Sequence, residues 1–141
     1  MSRIYWDTML FVYWLEDHPK YALRVQQIYE RMEQRRDTLC TSAFTLGELL
    51  VGPYKAKAAN AGQAIHEYFR ASTMELLSFD AQTAEKYAHI RAEHNVTSAD
   101  AIHLATAAQA HADLFLTNDR RLCRLTIPGI HFIAGLDTNL L

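Results

Sequence analysis

Short β-prone apolar runs alternate with helical stretches along the whole chain, and this alternation limits the available folds more than any other feature. Strands that alternate with helices are typical of βαβ units, in which helices cover both faces of a mostly parallel sheet. The sequence therefore predicts an α/β fold with a central sheet of about four to five strands. The predicted strands are 4–6, 38–41, 75–79, 114–117 and, at an edge of the sheet, 130–133.

The predicted helices rest on apolar residues at helical spacing and on residues that favour helix ends. Ser42, Asp80 and Ser98 stand where N-caps are expected, because a short side-chain oxygen there accepts from a free backbone N–H. We expect the Gly52–Pro53 pair to end the helix that begins at Ala43, since proline has no backbone N–H. The predicted helices are 9–15, 21–36, 43–51, 58–71, 81–93 and 99–112.

The chain has the length and apolar content of one domain with its own core. It has 141 residues, half of them apolar, and no linker-like stretch, so we treat 1–141 as a single domain. The sequence has no signal peptide and no run near the ~18 apolar residues of a membrane span, so we expect a cytoplasmic protein without a membrane partner. Cys40 and Cys123 lack metal-binding spacing, and we interpret both as reduced, buried thiols.

The charge balance excludes a protein that holds nucleic acid through its overall field. The formal net charge is −2, from 14 basic and 16 acidic residues. Proteins that bind nucleic acid in that way are usually basic. A nucleic-acid function would therefore rest on a local site, with bound cations supplying positive charge.

Four acidic residues stand near the carboxyl ends of the predicted strands or at the starts of the helices beside them. Asp7 ends the first strand, and Glu48 lies two turns into the helix after the second. Asp100 lies in the first turn of a late helix, and Asp119 follows the fourth strand. Open α/β sheets bind ligands in the crevice beyond the carboxyl ends of their strands. We therefore predict that the four carboxylates meet at one edge of the sheet.

Four carboxylates at one place imply bound cations. Two like charges ~4 Å apart repel by roughly 4 kcal/mol at an effective dielectric near 20, so such a cluster must take up protons or cations. Oxygen ligands select Mg²⁺ or Mn²⁺, which leave positions for phosphate oxygens and an attacking water. In this hypothesis Asp7 and Asp100 are the central ligands, while Glu48 and Asp119 hold a second ion or orient the water.

Other polar residues flank these acids. One set is assigned to hydrogen bonds beside the ligands or to substrate contacts: Thr8, Thr117, Asn118 and Arg120. The cluster of Arg120, Arg121 and Arg124 either contacts RNA phosphates at the pocket mouth or forms an ordinary solvated face. His103 stands one turn after Asp100, at the edge of the predicted site, and we interpret it as structural.

Four segments of the chain resemble the PIN-domain family, and most closely the VapC-type toxins of bacterial toxin–antitoxin pairs. They are IYWDT (4–8), TLGELLVG (45–52), SADAIHLATAA (98–108) and LFLTNDRRL (114–122), in the order and spacing of that family. The resemblance covers nearly the whole chain. The sequence departs from the family at Met9, where asparagine is frequent.

This resemblance implies a PIN-type fold, Mg²⁺- or Mn²⁺-dependent endoribonuclease activity, homodimerisation and inhibition by a cognate antitoxin. The family's acidic quartet maps onto Asp7, Glu48, Asp100 and Asp119. Two alternatives stay open, namely a non-catalytic binding module of the same fold and a metal-dependent nuclease acting on DNA. A haloacid-dehalogenase-type phosphatase would have aspartate where Met9 stands, and a phospho-receiver would have a lysine ending a late strand.

Overall fold

Five strands and six helices alternate along the chain in the computed structural model, which describes residues 1–141. A 3₁₀ turn at Leu122–Arg124 lies before the last strand. This arrangement confirms the predicted α/β class. In chain order the elements are β1 (Arg3–Trp6), α1 (Thr8–Leu15), α2 (Ala22–Arg35), β2 (Thr38–Ser42), α3 (Ala43–Lys55), α4 (Ala59–Ala71), β3 (Glu75–Leu77), α5 (Ala81–Glu93), α6 (Ser98–Gln109), β4 (Leu114–Leu116) and β5 (Phe132–Ala134).

The five strands form one parallel sheet in the order β3-β2-β1-β4-β5. The chain builds the sheet outward from β1 in one direction through β2 and β3, and in the other through β4 and β5. The crevice where this direction changes therefore lies at the carboxyl ends of β1 and β4. Trp6 pairs with Leu116 in the register of these two strands, so the residues that follow, Asp7 and Thr117, lie side by side.

Alternation along β1 divides the core between the two faces of the sheet. Ile4 and Trp6 pack with buried side chains of α1 to α4, whereas Tyr5 packs with those of α5 and α6. All three side chains are almost completely buried. A strand that is buried on both faces requires the continuous apolar run from which β1 was predicted. Asp7, the polar residue that follows β1, marks the exit from the core.

Helix α3 does not end at Gly52–Pro53, and that prediction is wrong. The helix continues to Lys55, with Pro53 in its last turn. The carbonyls of Gly52 and Pro53 accept from Ala56 and Ala58, so the helix loses only the bond that a proline nitrogen cannot donate. Packing of α3 against α4 offsets this loss.

Gly62 permits that packing. A Cβ built at Gly62 would lie 2.9 Å from the ring of Tyr54 on α3, so the two helices approach closely only where a side chain is missing. A glycine inside a helix costs about 1 kcal/mol relative to alanine. Gly62 therefore gives up helix propensity at the point where the Tyr54 ring lies against its backbone.

Several smaller predictions need correction. Thr97, not Ser98, is the N-cap of α6, because its hydroxyl accepts from the N–H of Asp100. Helix α6 ends at Gln109 instead of 112, β3 ends at Leu77 instead of 79, and β5 begins two residues later than expected, at the predicted edge position. Both cysteines are free, but only Cys40 is buried. None of the helices combines the length and apolar character that crossing a membrane requires.

Candidate active site

A cavity of about 450 Å³ opens at the carboxyl ends of β1 and β4, where the sheet changes direction. All four predicted acids line it, together with all four residues predicted to flank them. We call it the carboxylate cavity, and its acids are Asp7, Glu48, Asp100 and Asp119. Acids from four elements that are distant in sequence therefore meet at one edge of the sheet, as their positions near the strand ends predicted.

Asp7 forms the floor of the carboxylate cavity and is 9% exposed. Its Oδ1 accepts from the N–H of Thr8 at 2.8 Å, which makes Asp7 the N-cap of α1. Its Oδ2 accepts from the hydroxyl of Thr117, also at 2.8 Å. Burial raises the pKa of Asp7 above its ordinary value in spite of these bonds. A carboxylate held in this way gains stability from a nearby cation.

The Thr117 hydroxyl joins the two strand ends that meet at the crevice. It donates to Asp7 and accepts from the N–H of Asp119 at 3.1 Å. Thr117 itself is completely buried. Its short side chain therefore sets the distance between the carboxylate after β1 and the loop after β4.

Glu48 is held by two donors. The hydroxyl of Thr8 lies 2.6 Å from Glu48 Oε1, and Nε2 of His103 lies 2.7 Å from the same oxygen. Burial acts to raise the pKa of Glu48, but the hydrogen bonds from His103 and Thr8 outweigh it, so the pKa is lowered. Glu48 therefore stays ionised and points in a fixed direction.

His103 connects Glu48 to the core below the cavity. Its side chain is 3% exposed, and its Nδ1 lies 2.7 Å from the hydroxyl of Tyr5. Burial raises the pKa of Tyr5, so the phenol keeps its proton. Because ionised Glu48 can only accept, Nε2 carries the proton that it donates to Glu48, and in a neutral imidazole Nδ1 then accepts from Tyr5. Nε2 also lies 3.8 Å from Asp7 Oδ1.

Asp119 has a cation of its own. The guanidinium of Arg121 contacts both carboxylate oxygens, at 3.1 and 2.8 Å, and the backbone N–H of Arg121 donates to Oδ1 at 3.0 Å. The hydrogen bond from Arg121 lowers the pKa of Asp119. Asp100 differs, because its side chain makes no hydrogen bond and no ion pair. Asp100 is thus the acid of the cavity most available to an added ligand.

The donor set fits a hard divalent cation that keeps much of its water. No three His, Cys, Asp or Glu side chains lie close enough together to enclose an ion by themselves. Mg²⁺ binds through one or two carboxylates, with waters and substrate oxygens in its other positions. Asp7 and Asp100 supply such carboxylates, whereas Asp119 becomes a ligand only when Arg121 releases it.

Two residues that contribute to the carboxylate cavity, Tyr5 and Arg121, were not predicted from the sequence to hold its acids, and the contact of a third, His103, was not predicted either. Tyr5 was taken as part of an apolar strand, and Arg121 as a substrate contact or a surface residue. His103 lies inside the carboxylate cavity against Glu48, not at its edge. Its position one turn after Asp100 was the available signal, since residues three apart share a helix face.

The comparisons with known proteins agree with this geometry. A family model described as PIN domain matches residues 4–128. No curated protein sequence matches the chain. Among solved structures, VapBC2 from Rickettsia felis, bound to a DNA fragment from its promoter, contains a similar chain with a TM-score of 0.72. The two are 23% identical, over 94% of this chain and 98% of that chain.

Two further structures illustrate the range of the fold. FitAcB from Neisseria gonorrhoeae is 26% identical, with a TM-score of 0.64, over 82% of this chain and 87% of that chain. VapC20 from Mycobacterium tuberculosis, described as a sarcin–ricin loop cleaving toxin, is 13% identical with a TM-score of 0.68, over 87% and 96% of the two chains. Since the family model spans most of the sequence, the chain belongs to the PIN domain family.

Proposed function

We propose that this protein is a divalent-metal-dependent endoribonuclease and the toxin of a toxin–antitoxin pair. One observation carries the proposal, namely that four carboxylates from four separate elements line one cavity at the switch point of a parallel sheet. Membership of the PIN domain family and the toxin–antitoxin structures of the same fold support it.

Asp7 and Asp100 are the proposed central ligands of Mg²⁺ or Mn²⁺. When bound, such an ion polarises phosphate oxygens and lowers the pKa of water, which is the chemistry that phosphodiester hydrolysis needs. Asp7 presents its carboxylate from a fixed position, because Thr8 and Thr117 hold one oxygen each. Asp100 projects from the first turn of α6 without a partner and completes the pair.

Glu48 and Asp119 are proposed to accept from the attacking water or to hold a second ion. Glu48 is ionised and orientated by Thr8 and His103, so it is placed to accept a hydrogen bond from the attacking water. His103 donates to Glu48 through Nε2 and offers the cavity no acceptor atom there. Tyr5 and His103 thus act as positioning residues, because they act through Glu48.

Asn118 and Arg120 are the proposed substrate contacts at the mouth of the cavity. Nδ2 of Asn118 donates to the hydroxyl of Tyr13 at 2.9 Å, which fixes the amide beside Asp119. The side chain of Arg120 is exposed and has no partner, so its charge is free for a phosphate oxygen. The cavity provides nothing that distinguishes ribose from deoxyribose. The description of VapC20 as a sarcin–ricin loop cleaving toxin favours RNA.

A cognate antitoxin and a second copy of the chain are the proposed protein partners. The antitoxin is supported by structures of the same fold that are described as toxin–antitoxin complexes. The homodimer rests on the family resemblance alone. Light scattering of the purified protein, with and without a candidate antitoxin, tests both.

The decisive experiment incubates the antitoxin-free protein with cellular RNA in Mg²⁺, Mn²⁺ or EDTA. The matched control is Asp7→Asn, which keeps the size of the side chain and one acceptor for the N-cap. We expect cleavage that requires the metal and is lost in the variant. A parallel assay with a DNA pool distinguishes a ribonuclease from a deoxyribonuclease. Cleavage of DNA but not RNA would show that DNA is the substrate.

Metal binding is tested separately by thermal unfolding. A ligand that binds only the folded state raises its stability by about 2.7 kcal/mol at a hundred times its dissociation constant. We expect Mn²⁺ to raise the melting temperature of the wild type but not of Asp7→Asn. A folded protein with neither cleavage nor a metal response would contradict the proposal and favour the non-catalytic binding module.

A further inference from the structure

A second cavity, of about 510 Å³, adjoins the carboxylate cavity on the side of the loop between α1 and α2. The two cavities share Thr117, Asn118 and Arg120 as a common wall. The cations that line the second cavity are Lys20, Arg120 and Arg124, and its one carboxylate is Asp137. We call it the basic cavity. Its charge is opposite to that of its neighbour.

The three cations of the basic cavity are unpaired. None of the three side chains, Lys20, Arg120 and Arg124, forms an ion pair with a carboxylate, and the cation of Lys20 lies 5.3 Å from the centre of the Tyr21 ring. Arg121, by contrast, is neutralised by Asp119 within the same loop. Unpaired cations that converge on one concave surface attract an anion, and a phosphate satisfies several of them at once.

Hydrogen bonds hold both sides of the basic cavity in place. On one side, Nδ1 of His18 accepts from the N–H of Lys20 and of Tyr21, at 3.1 and 3.2 Å, and fixes the turn before α2. On the other side, the guanidinium of Arg24 donates to the carbonyls of Leu136 and Thr138. The turn that carries Lys20 and the segment around Asp137 are therefore organised before a ligand arrives.

We propose that the basic cavity binds the backbone phosphate of RNA next to the phosphate that is cleaved. The inference rests on the proposed nuclease function and adds a binding subsite to it. The shared wall places the subsite directly beside the carboxylates, so a single strand that crosses Asn118 reaches both cavities. The subsite recognises phosphate and not base, which suits contacts that set the register of a strand.

This division of charge resolves the conflict between an acidic protein and a nucleic-acid substrate. The acids of the carboxylate cavity lie where bound metal ions would offset their charge. The cations of the basic cavity lie in the adjoining cavity, where the next phosphate of the RNA strand would bind. Tyr21 lines the same cavity, and its ring packs 4.7 Å from that of Tyr13 and 5.0 Å from that of His18. Its phenol lies close to Asn118 and Lys20, which lower its pKa.

Binding of RNA without cleavage tests the basic cavity. The probe is a fluorescein-labelled pool of random single-stranded RNA twelve-mers, and the protein is full-length Asp100→Asn in EDTA. Anisotropy gives the dissociation constant across a range of salt concentrations. The test variant adds Lys20→Ala and Arg124→Ala. The control adds Lys55→Ala and Arg70→Ala, which remove the same charge from exposed positions on α3 and α4.

We expect the test variant to bind the RNA pool about tenfold more weakly at low salt. The slope of log affinity against log salt concentration should also be shallower by about 0.7, which is the contribution of one phosphate contact on a single strand. The control variant should match the Asp100→Asn parent. An equal loss in both variants, or no binding of the pool by the parent, would overturn the proposal.

Cleavage assays on the protein with Asp100 intact distinguish the failure of the proposed nuclease function from the failure of the proposed phosphate subsite. If the wild type cleaves RNA in Mg²⁺ and the Lys20→Ala/Arg124→Ala variant has an unchanged KM, the basic cavity does not bind the substrate, but the nuclease function is supported. If it cleaves no RNA but the cavity substitutions still abolish RNA binding, the nuclease is refuted and the cavity is an RNA-binding surface. A raised KM with a nearly unchanged kcat supports both.

Discussion

Both edges of the sheet have acidic residues near the strand ends, but the acids at the two edges differ in how many of them are paired with arginine. At the amino edge, Asp37, Glu75 and Asp113 stand at or just before the starts of β2, β3 and β4. At the carboxyl edge, Asp7 and Asp119 stand just after β1 and β4, with Glu48 and Asp100 on the helices beside them. Arginine side chains pair with two of the three amino-edge acids, Asp37 and Glu75, but with only one of the four carboxyl-edge acids, Asp119.

Arg3 and Arg35 neutralise most of the amino edge. The guanidinium of Arg3 lies 3.1 Å from Glu75, and its backbone N–H donates to Asp113 at 2.8 Å. Asp37 accepts from Arg35 and from the N–H of Ser2, both at 2.8 Å. At the carboxyl edge, Arg121 is the one arginine paired with an acid.

An acid at a strand end is therefore not evidence of a site by itself. The informative feature is the absence of a built-in counter-charge, because a buried charge without one is unfavourable until a ligand provides it. Asp7 meets this criterion, and Asp100 is half-buried without a partner, whereas Asp37 and Glu75 at the amino edge are paired with arginines.

The largest expected difference between the edges is in catalysis. Asp100→Asn should lower the rate of RNA cleavage on the order of 1000-fold, because it removes an unpaired metal ligand, and losses of this size are typical of transition-state contacts. Glu75→Gln at the amino edge should leave the rate unchanged. Single-turnover cleavage of one RNA measures both. A similar loss in the two variants would show that the edges do not differ.

Stability should respond in opposite directions at the two edges. At pH 7, Asp37→Asn should lower the free energy of unfolding by about 2 kcal/mol, since its side chain is 0% exposed and would leave donors unsatisfied. Asp7→Asn should raise it by about 1 kcal/mol in EDTA, because it removes a buried charge. Urea unfolding gives both values. Destabilisation by Asp7→Asn would show that its hydrogen bonds outweigh the cost of its charge.

The dependence of these effects on pH follows from the pKa shifts. Burial acts to raise the pKa of Asp37, but bonds from Ser2 and Arg35 lower it below 3.8, so its stabilisation is complete above that pH and is lost as the pH falls through the native pKa. Burial raises the pKa of Asp7 above 3.8, so its cost disappears as the pH falls towards 3.8. Urea unfolding between pH 3 and 7 should show Asp37→Asn losing less stability than the wild type, and the advantage of Asp7→Asn shrinking.

A smaller effect is expected below the carboxyl edge. Tyr5→Phe keeps the ring, which stacks on Phe115 at 5.0 Å, but removes the donor to Nδ1 of His103. We expect Mn²⁺ affinity to fall by about fivefold, within the net value of one hydrogen bond. Calorimetric titration measures the affinity, and the ¹⁵N shifts of His103 should show that the single Nε2–H form is lost. Unchanged shifts would contradict the assigned tautomer.

The sequence predicted the elements and the acids of the site because both depend on local patterns. Asp7 follows an apolar run, and Asp100 follows a helix start, so topology alone brings them to one edge. The helix end at Pro53 was misplaced, because packing against α4 overrides the local preference of proline. A local pattern contains no information about that packing.

The contacts that distinguish the two edges were beyond sequence reasoning. Arg3 and Asp113 are 110 residues apart, and no spacing rule pairs them. The bond between Tyr5 and His103 joins a strand to a helix across the core, from a residue whose neighbours are all apolar. Prediction succeeded where the position of a residue was enough and failed where the direction of a side chain decided its role.

The Thr117 hydroxyl has a consequence for which mutations the protein can tolerate. One oxygen atom donates to Asp7 and accepts from Asp119 in a space with no solvent. Of the amino acids that a single base change can substitute for threonine, only serine keeps a hydroxyl at that position. If the protein is toxic, cells that survive its expression should often carry changes in this codon, and serine should be missing among them.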